Sequence, residues 1–193
     1  MTKEYWNERY ANGQTGWDLG TASPPLEEYI KQLANKDLKI LLPGCGNGYE
    51  ALLMTELGFK NLTILDIAPL AVEQLQNRLR NYPTVKILCE DFFTHQDQYD
   101  LILEQTFFCA LPPTMREQYV QKMAELLAPQ GKLVGLLFAS EFDKAGPPFG
   151  GTTEEYLQLF NPYFKSEILE PCHNSIRPRQ GNELFVKWVK KDL

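Results

Sequence analysis

The sequence predicts an α/β protein: a doubly wound, mostly parallel sheet of seven strands with helices on both faces. Three observations carry that expectation. Five short apolar runs are continuous rather than alternating, as strands buried on both faces are. Helical stretches separate these runs, which is the pattern of βαβ units. A glycine-rich turn follows the first run, and a lone acid, Asp66, ends the second.

The first stretch, Tyr5–Tyr29, is aromatic and polar, with Gly13, Gly16, Gly20 and the pair Pro24-Pro25. It reads as a short helix, a loop and a second helix through about Leu33. Strands are then expected at Lys39–Leu42, Leu62–Leu65, Val85–Cys89, Asp100–Glu104 and Lys132–Phe138. Helices are expected at Tyr49–Leu57, Pro69–Asn81 and Thr114–Leu127, with Pro129-Gln130-Gly131 stopping the last of them. Thr152 or Thr153 caps a further helix carrying Glu154 and Glu155 in its first turn. Two late strands, Ser166–Leu169 and Leu184–Val189, finish the fold. No repeat, low-complexity tract or linker interrupts residues 1–193, which read as one domain.

Composition narrows the function. A chain of 193 residues with 44% hydrophobic and 23% charged residues suits one domain with a full core. The net charge of −6 argues against a nucleic-acid partner, which would need basic patches. The small basic cluster Arg177, Arg179, Lys187, Lys190 and Lys191 reads as a solvated surface. No apolar run approaches a membrane span, and no leader-like segment opens the chain. Cys45, Cys89, Cys109 and Cys172 form no C-x-x-C pair and read as reduced thiols. His95 and His173 have no partner at metal spacing, so no metal is expected. The expectation is a cytoplasmic monomer acting on a small molecule, without membrane or nucleic-acid partners.

The chemistry centres on PGCGNGYE and ILDIAP. Gly44, Gly46 and Gly48 let the backbone turn sharply and approach a ligand. An acid at the tip of the next strand suits the two hydroxyls of a ribose. NAD, FAD and S-adenosylmethionine all satisfy that pattern, and a plain strand-to-helix turn satisfies the glycines alone. The spacing G-x-G-x-G, with Glu50 two residues on, disfavours a pyrophosphate, because an acid in the first helical turn repels it. It tolerates the cationic sulfonium and ammonium of S-adenosylmethionine. Asp91-Phe92, after the third strand, would meet the adenine, or Asp91 is simply a helix N-cap. Gln105 ends the fourth strand. The N/D-P-P-Y/F box of many amino-directed methyltransferases is absent there. Phe107 and Phe108 replace it, as an apolar acceptor surface or as core. Trp6, Tyr10 and Trp17 either pack an N-terminal helix or cover a sulfonium, since aromatic faces attract cations.

The segments WNERYANGQTGWDLGTASPPL, PGCGNGYE, ILDIAP, EDFF, FFCALPPTMREQYVQKMAELLAPQGKL and GPPF resemble the thiopurine S-methyltransferase family, and within it the thiol/halide methyltransferase branch. The resemblance spans Trp6 to Trp188. It implies a Rossmann-like class I methyltransferase fold with S-adenosylmethionine as donor and S-adenosylhomocysteine as product. Residues 1–36 would cover the cofactor. The implied cofactor contacts are Trp6, Tyr10, Trp17, Gly44, Cys45, Gly46, Asp66, Ile67, Asp91, Phe92 and Gln105. Trp17, Phe107, Phe149 and Arg179 would face the acceptor. Gln105 stands where some relatives carry arginine and others tyrosine. Phe149 stands where thiol/halide relatives often carry tyrosine, and the missing hydroxyl tells against halide transfer. Asp18, beside Trp17, is the one candidate general base. The expected reaction is methyl transfer to a small soft nucleophile, a thiol first, with halide or thiocyanate as the alternative. An NAD-dependent oxidoreductase, a protein or RNA methyltransferase and a non-catalytic S-adenosylmethionine-binding module are the rival readings.

Overall fold

The computed structural model describes residues 1–143 and 145–192. The chain forms two compact units, Met1–His95 and Gln96–Leu193. Its seven strands make the mixed sheet of a Rossmann-like α/β fold.

The first unit opens with α1 (Lys3–Ala11), capped by the Thr2 side chain, which accepts from the Tyr5 N–H. This helix has no apolar stripe of its own, and none of its residues is fully buried. It is tethered instead by Asn7, whose Oδ1 accepts from the Leu70 N–H at 3.0 Å. In α2 (Pro24–Gln32) the two prolines occupy the first turn, where no N–H is needed, and Leu26 and Ile30 are buried. Then follow β1 (Lys39–Pro43), α3 (Tyr49–Glu56), β2 (Asn61–Asp66), α4 (Pro69–Arg78) and β3 (Lys86–Cys89). The three strands are parallel in the order β3-β2-β1. Their registers set Pro43 beside Leu65 and Asp66 beside Cys89. The glycine turn, Asp66 and Asp91 therefore leave from one edge. α4 ends at Arg78, short of the expected Asn81. A turn from Leu79 to Tyr82 intervenes, and Pro83 disfavours helix in the residue before it.

The second unit contains β4 (Tyr99–Gln105), α5 (Arg116–Leu126), β5 (Leu127–Phe138), α6 (Thr153–Phe160), β6 (Phe164–Pro171) and β7 (Glu183–Lys190). Strand order is β4-β5-β7-β6, with β7 antiparallel to both neighbours. β4, β6 and β7 run one or two residues beyond their expected ends, and the starts of α5 and β5 shift as well. A 3₁₀ turn, Pro113–Met115, precedes α5, so the helix starts at Arg116 rather than Thr114. β5 begins at Leu127, directly after α5, and Pro129-Gln130-Gly131 lies inside it as an irregularity. Pro129 has no N–H for the ladder, and Gln130 sits at φ 60°. The register consequently shifts between Tyr99 and Leu101. Of the two threonines it is Thr152 that caps α6, in a reciprocal box with Glu155. An aromatic core of Phe108, Tyr119, Tyr156, Phe160, Phe164 and Trp188 holds this unit. Phe160 stacks on Trp188 with centroids 3.9 Å apart.

Candidate cofactor and acceptor sites

In the first unit, Gly44, Gly46 and Gly48 take φ values of 56°, 55° and 64°. Side chains rarely adopt that backbone, and two of the glycines also lack room for one. A Cβ on Gly48 would lie 2.3 Å from Leu75 Cδ2, and one on Gly46 2.8 Å from the Tyr10 hydroxyl. Asp66 ends β2 buried, at 6% exposure. Its Oδ2 accepts from the Gly46 N–H at 3.0 Å and its Oδ1 from the Ala68 N–H at 2.9 Å. Burial raises its pKa, opposed by the N–H groups of Ala68, Gly46 and Ile67. Each carboxylate oxygen retains acceptor capacity, so the group can still receive a vicinal diol. Burial, with Glu50 and Asp66 nearby, pushes the Cys45 thiol well above its ordinary range. That makes it a packing thiol and not a nucleophile.

Trp6 meets Trp17 edge-on at 5.5 Å, and Tyr10 meets Trp17 edge-on at 5.7 Å. Burial, then the charge of Asp66, raises the Tyr10 phenol. This cluster thus folds over the glycine turn. Asp18 accepts from the Gly20 N–H at 2.8 Å, from the Tyr49 hydroxyl at 3.3 Å and from the Asn47 side-chain amide. Glu50 accepts from the Ser23 N–H at 2.8 Å. Both acids fasten the N-terminal segment to the start of α3.

The end of β3 is tied to β2 by the Glu90 N–H, which donates to the Asp66 carbonyl at 3.2 Å. Asp91 caps the short turn Phe92–Thr94 through Oδ1, which accepts from the Phe93 N–H at 2.9 Å. Both readings of this acid are compatible, since capping uses one oxygen of an exposed carboxylate. Phe92 is buried, and a Glu90–His95 contact closes the turn. Ile67 is half-buried, and its carbonyl faces the Cys89 thiol at 3.9 Å.

In the second unit, Gln105 ends β4 with Oε1 buried and without a hydrogen-bond partner. Thr106 follows at φ 57°. For a β-branched residue this backbone costs on the order of 1–3 kcal/mol and persists only where neighbours enforce it. Glu104 does so. Its Oε1 accepts from the N–H groups of Phe107 at 2.8 Å and Phe108 at 2.9 Å, and its Oε2 from the Tyr119 hydroxyl at 2.6 Å. Phe108 is core, edge-on to Tyr119 and Tyr156, whereas Phe107 is half-buried. The Phe149 N–H donates to the Cys109 carbonyl at 2.7 Å. Arg116, with its guanidinium 5.0 Å from the Phe108 ring centre, donates to the Gly150 carbonyl at 2.5 Å. Arg179 pairs with Glu183 at 3.3 Å, both largely buried, and lies 5.6 Å from the Phe138 ring centre. Lys144 lies outside the described residues.

Each unit therefore gathers part of the expected set. The first brings together the aromatics, the glycine turn and Asp66. The second links Phe107 and Phe149 through the turn at 106–110, with Gln105 just ahead of it, while Arg179 is paired separately with Glu183. Glu104 and Arg116 were missed. The signal for Glu104 was an acid ending an apolar strand, which must find donors if buried. Arg116 offered none.

The model of the family described as thiopurine S-methyltransferase matches residues 1–193. The chain belongs to this family. It is 32% identical over 191 residues to a probable thiol methyltransferase 2 of Arabidopsis thaliana, covering 96% of this chain and 84% of that one. It is 31% identical over 191 residues, with the same coverage, to a thiocyanate methyltransferase 1 of Brassica oleracea. Among solved structures, a Burkholderia thailandensis 1,6-didemethyltoxoflavin-N1-methyltransferase bound to S-adenosylhomocysteine superposes with a TM-score of 0.79. That match has 18% identity and covers 98% of this chain and 87% of the other. This member of the thiopurine S-methyltransferase family is an S-adenosylmethionine-dependent methyltransferase acting on a small nucleophile. Its residues fit that cofactor. Asp66 keeps acceptor capacity on both oxygens, which would suit a ribose diol, and Trp6, Tyr10 and Trp17 gather aromatic rings beside the glycine turn, where they would meet a cation. No helix among the described residues is long and apolar enough to cross a membrane.

Proposed function

We propose that the acceptor is a small thiol attacking as its thiolate. The observation that carries this is the state of the acids. Asp18 receives three donors, Glu104 receives three, and Glu183 is paired with Arg179. None is poised to take a proton from an acceptor, so the nucleophile must arrive ionised. An alkyl thiol, with a pKa of about 8.5, supplies a thiolate near neutrality, whereas an amine at about 10.4 stays protonated and hydrated. When bound, S-adenosylmethionine supplies an electrophilic methyl group. The protein's part is to hold the acceptor in line and exclude water. Trp6, Tyr10, Trp17, Gly44, Asp66, Asp91, Phe92 and Gln105 are the cofactor contacts in this reading. Phe107, Phe149 and Arg179 shape the acceptor side. Asp18, engaged by Gly20, Asn47 and Tyr49, fastens the N-terminal segment to the start of α3 in this reading and does not act as a base.

A radiolabelled-methyl assay with alkyl and aromatic thiols, hydrosulfide, thiocyanate, iodide and a primary amine tests the assignment. Thiols should turn over fastest. Faster transfer to the amine would refute it and leave the cofactor untouched. We further infer a monomer in the cytoplasm; four free cysteines in the described residues suit a reducing compartment and leave the monomer to be measured. Sedimentation and thiol titration check both points.

A further inference from the structure

Glu104 is the most deeply buried acid of the second unit, at 1% exposure, and among the described residues no cation pairs with it. Burial raises its pKa to about 7, against the hydrogen bonds from Tyr119, Phe108 and Phe107, which lower it. Strand β5 presses directly on it: a Cβ on Gly135 would lie 2.4 Å from the Glu104 Cβ. The groups facing it are few. α5 contributes Tyr119, whose phenol is raised by burial and by Glu104 itself. The turn after β4 contributes Cys109, whose thiol is raised chiefly by burial, then by Glu104, with Arg179 opposing. β5 contributes Gly135, which does not titrate. A solvent-exposed turn would not need a buried charge. Here one carboxylate oxygen gathers two consecutive N–H groups while Thr106 is forced into the left-handed region.

We propose that Glu104 is the positioning residue of the acceptor side: its ionised carboxylate builds the turn at 106–110 and fixes Phe107 where the acceptor docks. This rests on Phe107 facing the acceptor, as in the reading above. The charge strengthens both N–H bonds, because hydrogen bonds to an ionised group are shorter and stronger than neutral ones. Protonation weakens that grip. The proton then sits on Oε2 against the Tyr119 oxygen, and the turn relaxes. The enzyme thus carries its own ionisation near neutrality, separate from that of the thiol.

The test has two arms. In the first, backbone amide resonances of Phe107 and Phe108 are followed by NMR between pH 5.5 and 8.5 in the wild type and in Glu104→Gln. They should titrate together with a midpoint near 7 in the wild type and stay flat in the variant. Resonances that do not move, or move alike in both proteins, overturn the proposal. This arm needs no turnover, and its wild-type half stands even if the variant fails to fold. In the second arm, an electron-poor aromatic thiol that is ionised throughout this range serves as acceptor. The wild-type kcat should still fall as pH drops below 7. Glu104→Gln should lose that limb and lower kcat by about tenfold or more, with S-adenosylhomocysteine binding unchanged. An unchanged kcat in the variant also overturns the proposal. Absence of transfer to any thiol would instead count against the acceptor assignment, with the NMR arm still deciding Glu104.

Discussion

The Gly46 N–H donates to Asp66 Oδ2 at 3.0 Å, fastening the glycine turn to the acid at the end of the next strand. The same carboxylate that would receive the ribose therefore also sets the shape of the turn beside it. Asp66→Ala removes both roles, and Asp66→Asn keeps the volume while removing the charge. Losing hydrogen bonds to a charged group costs about 1.5–3 kcal/mol. S-adenosylhomocysteine binding by calorimetry should weaken by that amount in Asp66→Asn and by more in Asp66→Ala. Tight binding in Asp66→Ala, or preferential binding of NADH by the wild type, would contradict the cofactor site.

The N-terminal aromatics make a second prediction. Trp6 and Trp17 are already in edge contact, and Tyr10 covers Gly46. A cation entering beneath them must change their surroundings. Tryptophan fluorescence should shift on adding S-adenosylhomocysteine, and limited proteolysis within residues 1–36 should slow. Equal cleavage with and without ligand would remove the covering role.

The third prediction concerns Phe149, which is anchored to Cys109 through its backbone and not its ring. Phe149→Tyr should leave the loop in place while adding a hydroxyl donor for an anion. The ratio of iodide or thiocyanate turnover to thiol turnover should rise. A falling or unchanged ratio would show that the hydroxyl is not what limits anions.

Arg116 carries the fourth. Its bond to the Gly150 carbonyl holds the segment next to Phe149. Arg116→Lys cannot reproduce the planar donor fork or its stacking on Phe108. KM for the thiol should rise several-fold, with S-adenosylhomocysteine affinity unchanged. Loss of cofactor binding instead would mean that the variant disrupts the fold.

The fifth is a stability measurement. The folded pKa of Glu104, about 7, lies above its ordinary value of 4.5, so the fold favours the protonated acid. That stabilisation is complete below about pH 4.5, declines as pH rises through 7 and is gone above it, a span on the order of 3 kcal/mol. Denaturant midpoints for the wild type should therefore fall between pH 5 and 7.5 relative to Glu104→Gln. A constant difference would place the carboxyl in a wetter setting than its burial implies.

Much of this was readable from residue patterns. Continuous apolar runs announced β1, β2 and β4, because strands covered on both faces cannot alternate. The glycines and Asp66 were legible because few backbones need three left-handed residues followed by a strand-end acid. The irregularity in β5 was not, since Pro-Gln-Gly is equally a helix stop and a strand bulge until Tyr99 is known to lie opposite Leu127. Glu50 was read through its charge alone, whereas its oxygen is engaged by Ser23, twenty-seven positions earlier. Nor could a sequence say that Glu104 collects two neighbouring N–H groups, because that depends on Thr106 turning left-handed.

Gly135 has no chemistry, yet its missing side chain is what lets β5 run beside Glu104. For anyone redesigning the acceptor preference, the two positions form one unit of variation. A library that diversifies β5 while keeping the acid would lose most members at position 135 before any selection for activity. One that shortens the acid and enlarges the glycine together could keep the strand and surrender the turn. Acceptor preference on this scaffold would then be inherited in pairs, and single-site scans would overlook the partner that has nothing to mutate away.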